Sequence, residues 1–482
     1  MKRLALVLAI AVVAMFASLG TADAAGTWGN AQDINPYATF GGSGSSQGAL
    51  VICPQADSCV VLGEYFTGGV SQGYKIPLVN GVWGAATSIP GLNALNQGNF
   101  VNFDTYGCSP QSTCVAVGVY DDGPGSNGFL YETGGNPAIA IPGLAALNVG
   151  HNVSIESVSC SSAGNCSIAG SYTNGSSNGM PFTADEVGGV WQNAQPVAGT
   201  SGGGQLHAVS CWADGECVGV GYTYISSVPT AFTVRRTGGT WASATQIPGV
   251  ATIGAYSDAT VLSCSAGPVC IALGTTNINA QKQSYSTMLA NGSWSNAVLV
   301  PGVAALDTSG YTKVFLLSCW GPTSCLAIGQ WHSASASGSW VSELSNGVWG
   351  TAIDMPGVAA ITNGFDSAKS MSCASDGTCA IIGNYQVGLP WQAYVVMRNA
   401  DGTFTDASPV PGLTAMNVGG YSDPSDIYCM IGFCAAVGWY EPTQSLSSTF
   451  FVEMTYTPTP TPTPTTEPTA PGGDPVVPTF TG

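Results

Sequence analysis

The chain has 482 residues, with 9 lysines and arginines against 27 aspartates and glutamates, a formal net charge of −18 and only 7% charged residues. An ordinary globular protein carries about 25%. So few cations exclude a nucleic-acid partner, because nothing could neutralise a phosphate backbone, and the surface must be built from Ser, Thr, Asn, Gln and Gly.

The first segment reads as a signal peptide over residues 1–24. Lys2 and Arg3 supply the positive end, Leu4 to Leu19 the apolar run, and Ala22-Asp23-Ala24 a small-residue cleavage site. Its removal would leave 7 basic and 26 acidic residues, net −19. No later segment is long and apolar enough to span a bilayer, so no membrane insertion is expected. The chain is expected to be secreted, extracellular or held at the cell surface. Few paired carboxylates also mean that little stability is lost on protonation, which suits an acidic or fluctuating medium.

Next come eight cysteine pairs in a recurring C-x5-C-h-h-h-G frame, where h is a mostly apolar residue. They are Cys53 with Cys59, Cys108 with Cys114, Cys160 with Cys166, Cys211 with Cys217, Cys264 with Cys270, Cys319 with Cys325, Cys373 with Cys379 and Cys429 with Cys434, the last one residue shorter. They use all 16 cysteines, and the first members lie 55, 52, 51, 53, 55, 54 and 56 residues apart. A period near 50 marks a repeat architecture. In an exported chain such pairs read as disulfides. A zinc site is disfavoured, since His151, His207 and His332 fall at unrelated points of their repeats, and no metal or cofactor is expected.

The third unit shows the pattern. Val153–Cys160 is a β-rich run, Cys166–Tyr172 a second, Pro181–Val187 a third, and Gly188-Gly189 turns the chain into Val190–Val197. No segment has a helical period over 11 or more residues. Dipeptides suited to tight hairpins (Asn80-Gly81, Gly188-Gly189, Asn346-Gly347 and their counterparts) separate the third and fourth runs. Four antiparallel strands repeated eight times predict an all-β, eight-bladed β-propeller over residues 25–455, with the second strands buried on both faces. Trp28 lies in a fourth-strand motif (residues 26–34) that precedes the first cysteine pair, and Phe450–Met454 is a third strand with no fourth after it. The N-terminal strand is therefore expected to complete the eighth blade, closing the ring rather than leaving an open solenoid. Each disulfide is expected to staple the hairpin of the first two strands of its own blade, contributing about 2 kcal/mol by chain entropy.

Ser159-Cys160, Cys166, Gly170, Tyr172, Gly188-Gly189 and Trp191, with their counterparts over residues 26–455, resemble exported bacterial repeat proteins whose blades read SVSC, a turn, C-AVG-Y and GG-W. The resemblance implies a propeller and secretion and no particular reaction. The likeness to sialidase-type propellers is superficial. The turn is shorter and lacks its Asp, and only Arg235, Arg236 and Arg398 remain for the three arginines such enzymes need.

Tryptophans at 28, 83, 191, 241, 294 and 349, with Phe404, hold one place in the repeat and are expected to pack the outer strands. A second aromatic position, two residues after the repeat glycine, holds Tyr65, Tyr120, Tyr172, Trp331, Tyr385 and Tyr440. Variable loops following it would add Phe66, Tyr224, Trp391 and Trp439. Of these, Tyr120, Tyr172, Trp331, Tyr385, Trp391, Trp439 and Tyr440 are the candidate binding residues, because rings among Asn, Ser and Gly suit a glycan or an extracellular protein. Asp104, Glu156, Asp258, Asp366 and Asp423 near the first strands are candidates for lining the channel, although the five do not share one repeat position. No catalytic residue is assigned. The Pro/Thr-rich tail, residues 456–482, is expected to be extended. These features point to a secreted binding or adhesion module with recognition on the face of the variable loops. The alternatives are a glycoside-active enzyme using two channel carboxylates and a structural component of a coat or matrix.

Overall fold

The computed structural model of the chain describes residues 26–40, 44–110, 113–265 and 268–458. The segment expected to be a signal peptide and residues 459–482 of the tail lie outside the described residues.

Eight antiparallel sheets succeed one another along the chain. Their inner strands are Ser46–Gln55, Val101–Cys108, Val153–Ser162, Gly204–Ala213, Ser257–Ser265, Lys313–Gly321, Asp366–Cys373 and Ser422–Met430, which define blades 1 to 8. Each inner strand touches that of the next blade, and the eighth touches the first, so the ring is closed. Closure is made as the sequence predicts. Thr27 and Trp28 pair with Thr455 and Met454, and Gln32 and Asp33 pair with Phe451 and Phe450, as the outer strand of blade 8. That outer strand comes in two short pieces, as it does in blade 3, where Val190–Trp191 and Gln195–Pro196 both pair with Gly179–Val187.

The core lies between blades. The second strands are buried on both faces, as in Cys114–Asp121 and Cys379–Gln386. At the closing interface Val437 and Phe451 of blade 8 pack with Val51, Tyr74 and Ile76 of blade 1.

Every blade carries its disulfide across the inner hairpin, with Cα separations of 4.0–4.2 Å. The bonds are those the spacing predicts. Cys53 joins Cys59, Cys108 joins Cys114, Cys160 joins Cys166 and Cys211 joins Cys217. Cys264 joins Cys270, Cys319 joins Cys325, Cys373 joins Cys379 and Cys429 joins Cys434. The second member of each pair, namely Cys59, Cys114, Cys166, Cys217, Cys270, Cys325, Cys379 and Cys434, stands at or next to the first residue of a second strand and is buried. These cysteines are therefore staples sealed into the blade cores.

The connectors contain short helical turns that were not expected, each opened by the Gly of a recurring Pro-Gly. Left-handed glycines such as Gly91, Gly143 and Gly412 open one-turn helices whose first residues, Leu92, Leu144 and Leu413, are buried.

The glycine of the repeat frame has a partner that the sequence reading missed. In register with Gly63, Gly118, Gly170, Gly221, Gly274, Gly329, Gly383 and Gly438 stand Tyr74, Phe129, Phe182, Phe232, Tyr285, Trp340, Tyr394 and Phe450 of the third strands. All eight rings are buried. A Cβ on Gly118 would lie 2.0 Å from the carbonyl oxygen of Asn102 and 2.9 Å from the Phe129 ring. The glycine thus lets a ring lie flat beside the inner strand and locks it against the blade.

The second and third strands run further than expected. Phe66, Tyr224 and Trp439 lie within second strands and Trp391 opens a third strand, so none of them is in a loop. In blades 1, 4 and 5 the connection shrinks to two residues, Gly68-Gly69, Ser226-Ser227 and Asn279-Ala280, all at positive φ. The face where inner strands begin, here the upper face, is made of these turns, the longer loops of other blades and the connectors with their one-turn helices. The cysteine hairpins lie on the lower face, and the chain leaves there: the Tyr456 N–H donates to the Gly432 carbonyl at 3.0 Å.

Candidate functional site

Inside the ring, each inner strand carries a bulge at the same place, one residue after the position paired with the repeat glycine. A bulge inserts one residue and re-aims side chains. The bulged residues are Ala49, Asp104, Glu156, His207, Thr260, Phe315, Lys369 and Ser425. Two positions earlier stand Gln47, Asn102, Ser154, Gln205, Asp258, Lys313, Ser367 and Asp423. The residues between these two sets are buried in all eight blades, whereas the two sets themselves are half-buried or exposed. They form two stacked rings of side chains around the central channel. One ring is wholly polar, and the other holds eight different residue types.

The channel contains a cavity of about 490 Å³ lined from blades 1, 2, 3, 6, 7 and 8, with Glu64, Asp104, Glu156, Lys369, Asp426 and Trp439 on its wall. Toward the lower face Tyr106 and Tyr428 approach to 6.5 Å between ring centroids and narrow it. In a chain so poor in charge, the concentration of ionisable groups here is the main electrostatic feature. Lys369 Nζ lies 2.9 Å from Asp423 Oδ1, which also accepts from the Asn384 amide at 2.8 Å. His207 stands between two carboxylates, 3.9 Å from Glu156 and 3.3 Å from Asp258. Neither contact is a hydrogen bond, so the attraction is chiefly that of charge.

These surroundings separate the acids. Burial pushes Glu64 up to about 8, although its carboxylate accepts the Phe103 N–H at 2.9 Å. Burial likewise pushes Asp426 up to about 7 against hydrogen bonds from Val51 N–H and the Ser370 hydroxyl. Asp104 is open to the cavity but enclosed by the channel walls. The loss of surrounding water pushes it up to about 7 against a hydrogen bond from Asn102, and the charge of Glu156 adds to the rise. Glu156 goes the other way. Burial would raise it, but His207 and Ser154 together outweigh burial and hold it below its ordinary value. Burial opposes the charge on His207, and the flanking Asp258 and Glu156 lift it to about 9.

Of the carboxylates expected along the channel, Asp104 and Glu156 share the bulge position, and Asp258 and Asp423 share the ring above. Asp366 does not belong with them: it is buried between blades 6 and 7, where it accepts the Ser339 N–H at 3.1 Å. Glu64 and Asp426 join the site without having been singled out.

The aromatic candidates divide in the same way. Tyr120, Tyr172, Tyr385 and Tyr440 are only 3–6% exposed and pack within the blade cores. Trp331, Trp391 and Trp439 are partly exposed. Trp331 is held by its indole N–H on Asp354 at 2.8 Å. Trp439 stands opposite Asp423, lines the cavity and stacks on Tyr421 at 5.1 Å and 21°. The outer-strand tryptophans act between blades. The indoles of Trp83, Trp191 and Trp241 donate to Gln32, Glu132 and Asp185 of the preceding blade.

No family model matches the chain, and no curated protein matches it. Solved structures that it resembles include a protein of unknown function from Dyadobacter fermentans DSM 18053, 10% identical, covering 63% of this chain and 95% of that one with a TM-score of 0.38. The xyloglucanase from Xanthomonas campestris is 11% identical, covering 86% of this chain and 59% of that one with a TM-score of 0.44. An ulvan lyase is 9% identical, covering 84% and 94% with a TM-score of 0.40. Likenesses of this strength bear on no residue of the channel.

Proposed function

We propose that the chain is an exported, disulfide-stapled binding module that holds a glycan at the upper mouth of its channel. One observation carries this reading: Trp439, stacked on Tyr421, lines the same cavity as Asp104, Glu156 and Lys369. A flat apolar platform beside fixed donors and acceptors suits a saccharide, whose ring has an apolar face and a rim of hydroxyls. The eight covalent staples suit an oxidising compartment. Among the described residues no helix is long and apolar enough to cross a membrane. A glycan array with the protein lacking residues 1–24, followed by calorimetry on the best ligand, tests the reading. Trp439→Ala should weaken binding at least tenfold, while Trp191→Ala, which removes the indole that donates to Glu132 of the preceding blade, should chiefly lower the melting temperature. The reverse pattern would refute the assignment of the mouth.

A second reading has its own support. Asp104 is raised to about 7 while Glu156 on the next blade is held low. Two carboxyls pushed apart in this way can serve as proton donor and as base or nucleophile in glycoside hydrolysis. Release of reducing ends from a polysaccharide panel, abolished by both Asp104→Asn and Glu156→Gln, would establish this reading over the first. Binding without release would exclude it.

A further inference from the structure

On the outer wall between blades 3 and 4 lies a groove of about 570 Å³, lined among others by Asp185, Gln192, Asn193, Gln195, Arg236 and Trp241. Arg236 is 4% exposed, yet its guanidinium makes no hydrogen bond among the described residues. Its Nε has no partner and stands 3.6 Å from Asp185 Oδ2. Asp185 is already occupied, by the Ser167 hydroxyl at 2.6 Å and the Trp241 indole at 2.9 Å.

The repeat provides an internal control. Arg398 of blade 7 stands opposite Phe404 as Arg236 stands opposite Trp241, and Glu343 of blade 6 takes the place of Asp185. There the guanidinium is fully engaged. Nε and Nη2 donate to Glu343 at 3.0 and 2.6 Å, Nη1 donates to the Gly377 and Asn399 carbonyls, and the group lies 4.3 Å over Trp320. The fold can therefore satisfy a buried arginine at this position, and at Arg236 it does not. A buried cation with unused donors is costly unless acceptors come from elsewhere. Here the groove that Arg236 lines is open to supply them, from water or from a ligand.

We propose that this groove is a second saccharide site, independent of the channel mouth, in which the planar fork of Arg236 donates to two neighbouring hydroxyl oxygens of a neutral sugar unit. Charge selects the neutral ligand. Asp185 already balances Arg236, and the net charge of −18 repels a second anion. The exposed amides of Gln192, Asn193 and Gln195 stand beside the arginine to meet further hydroxyls, and Trp241 supplies the apolar wall. The groove and the channel share only their class of ligand.

The test is calorimetry of the chain lacking residues 1–24 with hexasaccharides of glucose, xylose and mannose, and with glucuronate as the anionic arm. The variants are Arg236→Leu, Arg236→Lys and Trp439→Ala. Leucine already fills this position in blades 1, 5 and 6, at Leu78, Leu289 and Leu344, so Arg236→Leu should fold and melt no lower than the parent. The expected result is at least a tenfold loss of one class of neutral-sugar binding in Arg236→Leu and a smaller loss in Arg236→Lys, which keeps the charge but not the fork. That class should survive in Trp439→Ala. Unchanged affinity and stoichiometry in Arg236→Leu would overturn the proposal while leaving the channel reading intact. Loss of all binding in Trp439→Ala would also overturn it. Binding of glucuronate alone, or of nothing in the panel, would overturn the neutral-sugar assignment.

Discussion

Replacing Glu64 by Gln should stabilise the protein near neutrality and leave it unchanged in acid. Glu64 is 5% exposed, and its carboxyl is raised from 4.5 to about 8, first by burial. A raised carboxyl is protonated in the fold while its unfolded counterpart ionises. Its contribution is therefore fully present below the unfolded value of 4.5 and is lost as pH climbs through about 8. Each pH unit within that window costs up to about 1.4 kcal/mol, so by pH 7.5 the parent has lost at most about 4 kcal/mol. Glutamine is neutral throughout, and its carbonyl can still accept the Phe103 N–H that Glu64 accepts at 2.9 Å. With an unfolding entropy near 2.1 cal/mol/K per residue over about 430 residues, 1 kcal/mol corresponds to about 1 °C. Scanning calorimetry of both proteins should show Glu64→Gln melting about 2–4 °C higher at pH 7.5 and within about 1 °C at pH 4. A melting temperature lowered more at pH 7.5 than at pH 4 would refute the reasoning, because it would mean that the carboxyl is needed as an anion.

The parent itself should melt higher at pH 5 than at pH 8.5. Asp366 and Asp426, raised by burial to about 7, lose their contribution as pH rises through that value. His207, raised to about 9 by its flanking carboxylates, contributes below 6.5 and loses it through 9, so all three trends run in one direction. A melting temperature that rises with pH would contradict this. Deleting residues 25–35 should remove the outer strand that pairs with Phe450, Phe451, Met454 and Thr455 and expose a sheet edge. A drop of more than about 10 °C in calorimetry, with growth of aggregates in light scattering, is the expected outcome. Melting like the full ring would contradict the closure.

The ring was legible because its signals sit at fixed places. Cysteine spacing marked the hairpins, Gly-Gly and Asn-Gly marked the turns, and Trp28 lying ahead of the first cysteine pair announced the closure. The repeat glycine also carried a signal that went unread: the aromatic residue 11 or 12 positions later, from Gly63 to Tyr74 through Gly438 to Phe450. The channel rings were hidden for a physical reason. Their residues face a cavity rather than a core, so nothing requires them to be alike, and Ala49, Asp104, His207 and Phe315 share no chemistry. The places themselves were readable, since Asp104 and Glu156 both stand four residues before the first cysteine of their blades and Asp258 and Asp423 six residues before it, but the differing residue types masked them. Buried Tyr120 and half-exposed Trp331 occupy the same repeat position, and only packing against neighbouring strands tells them apart.

Hydrogen exchange of the chain lacking residues 1–24, with and without a glycan taken from the array, tests the binding role most directly. Added protection is expected in the peptides carrying Asp423, Trp439 and Asp104 at the upper mouth, and none in the cysteine hairpins of the lower face. Protection confined to the lower hairpins, with the mouth unchanged, would contradict it.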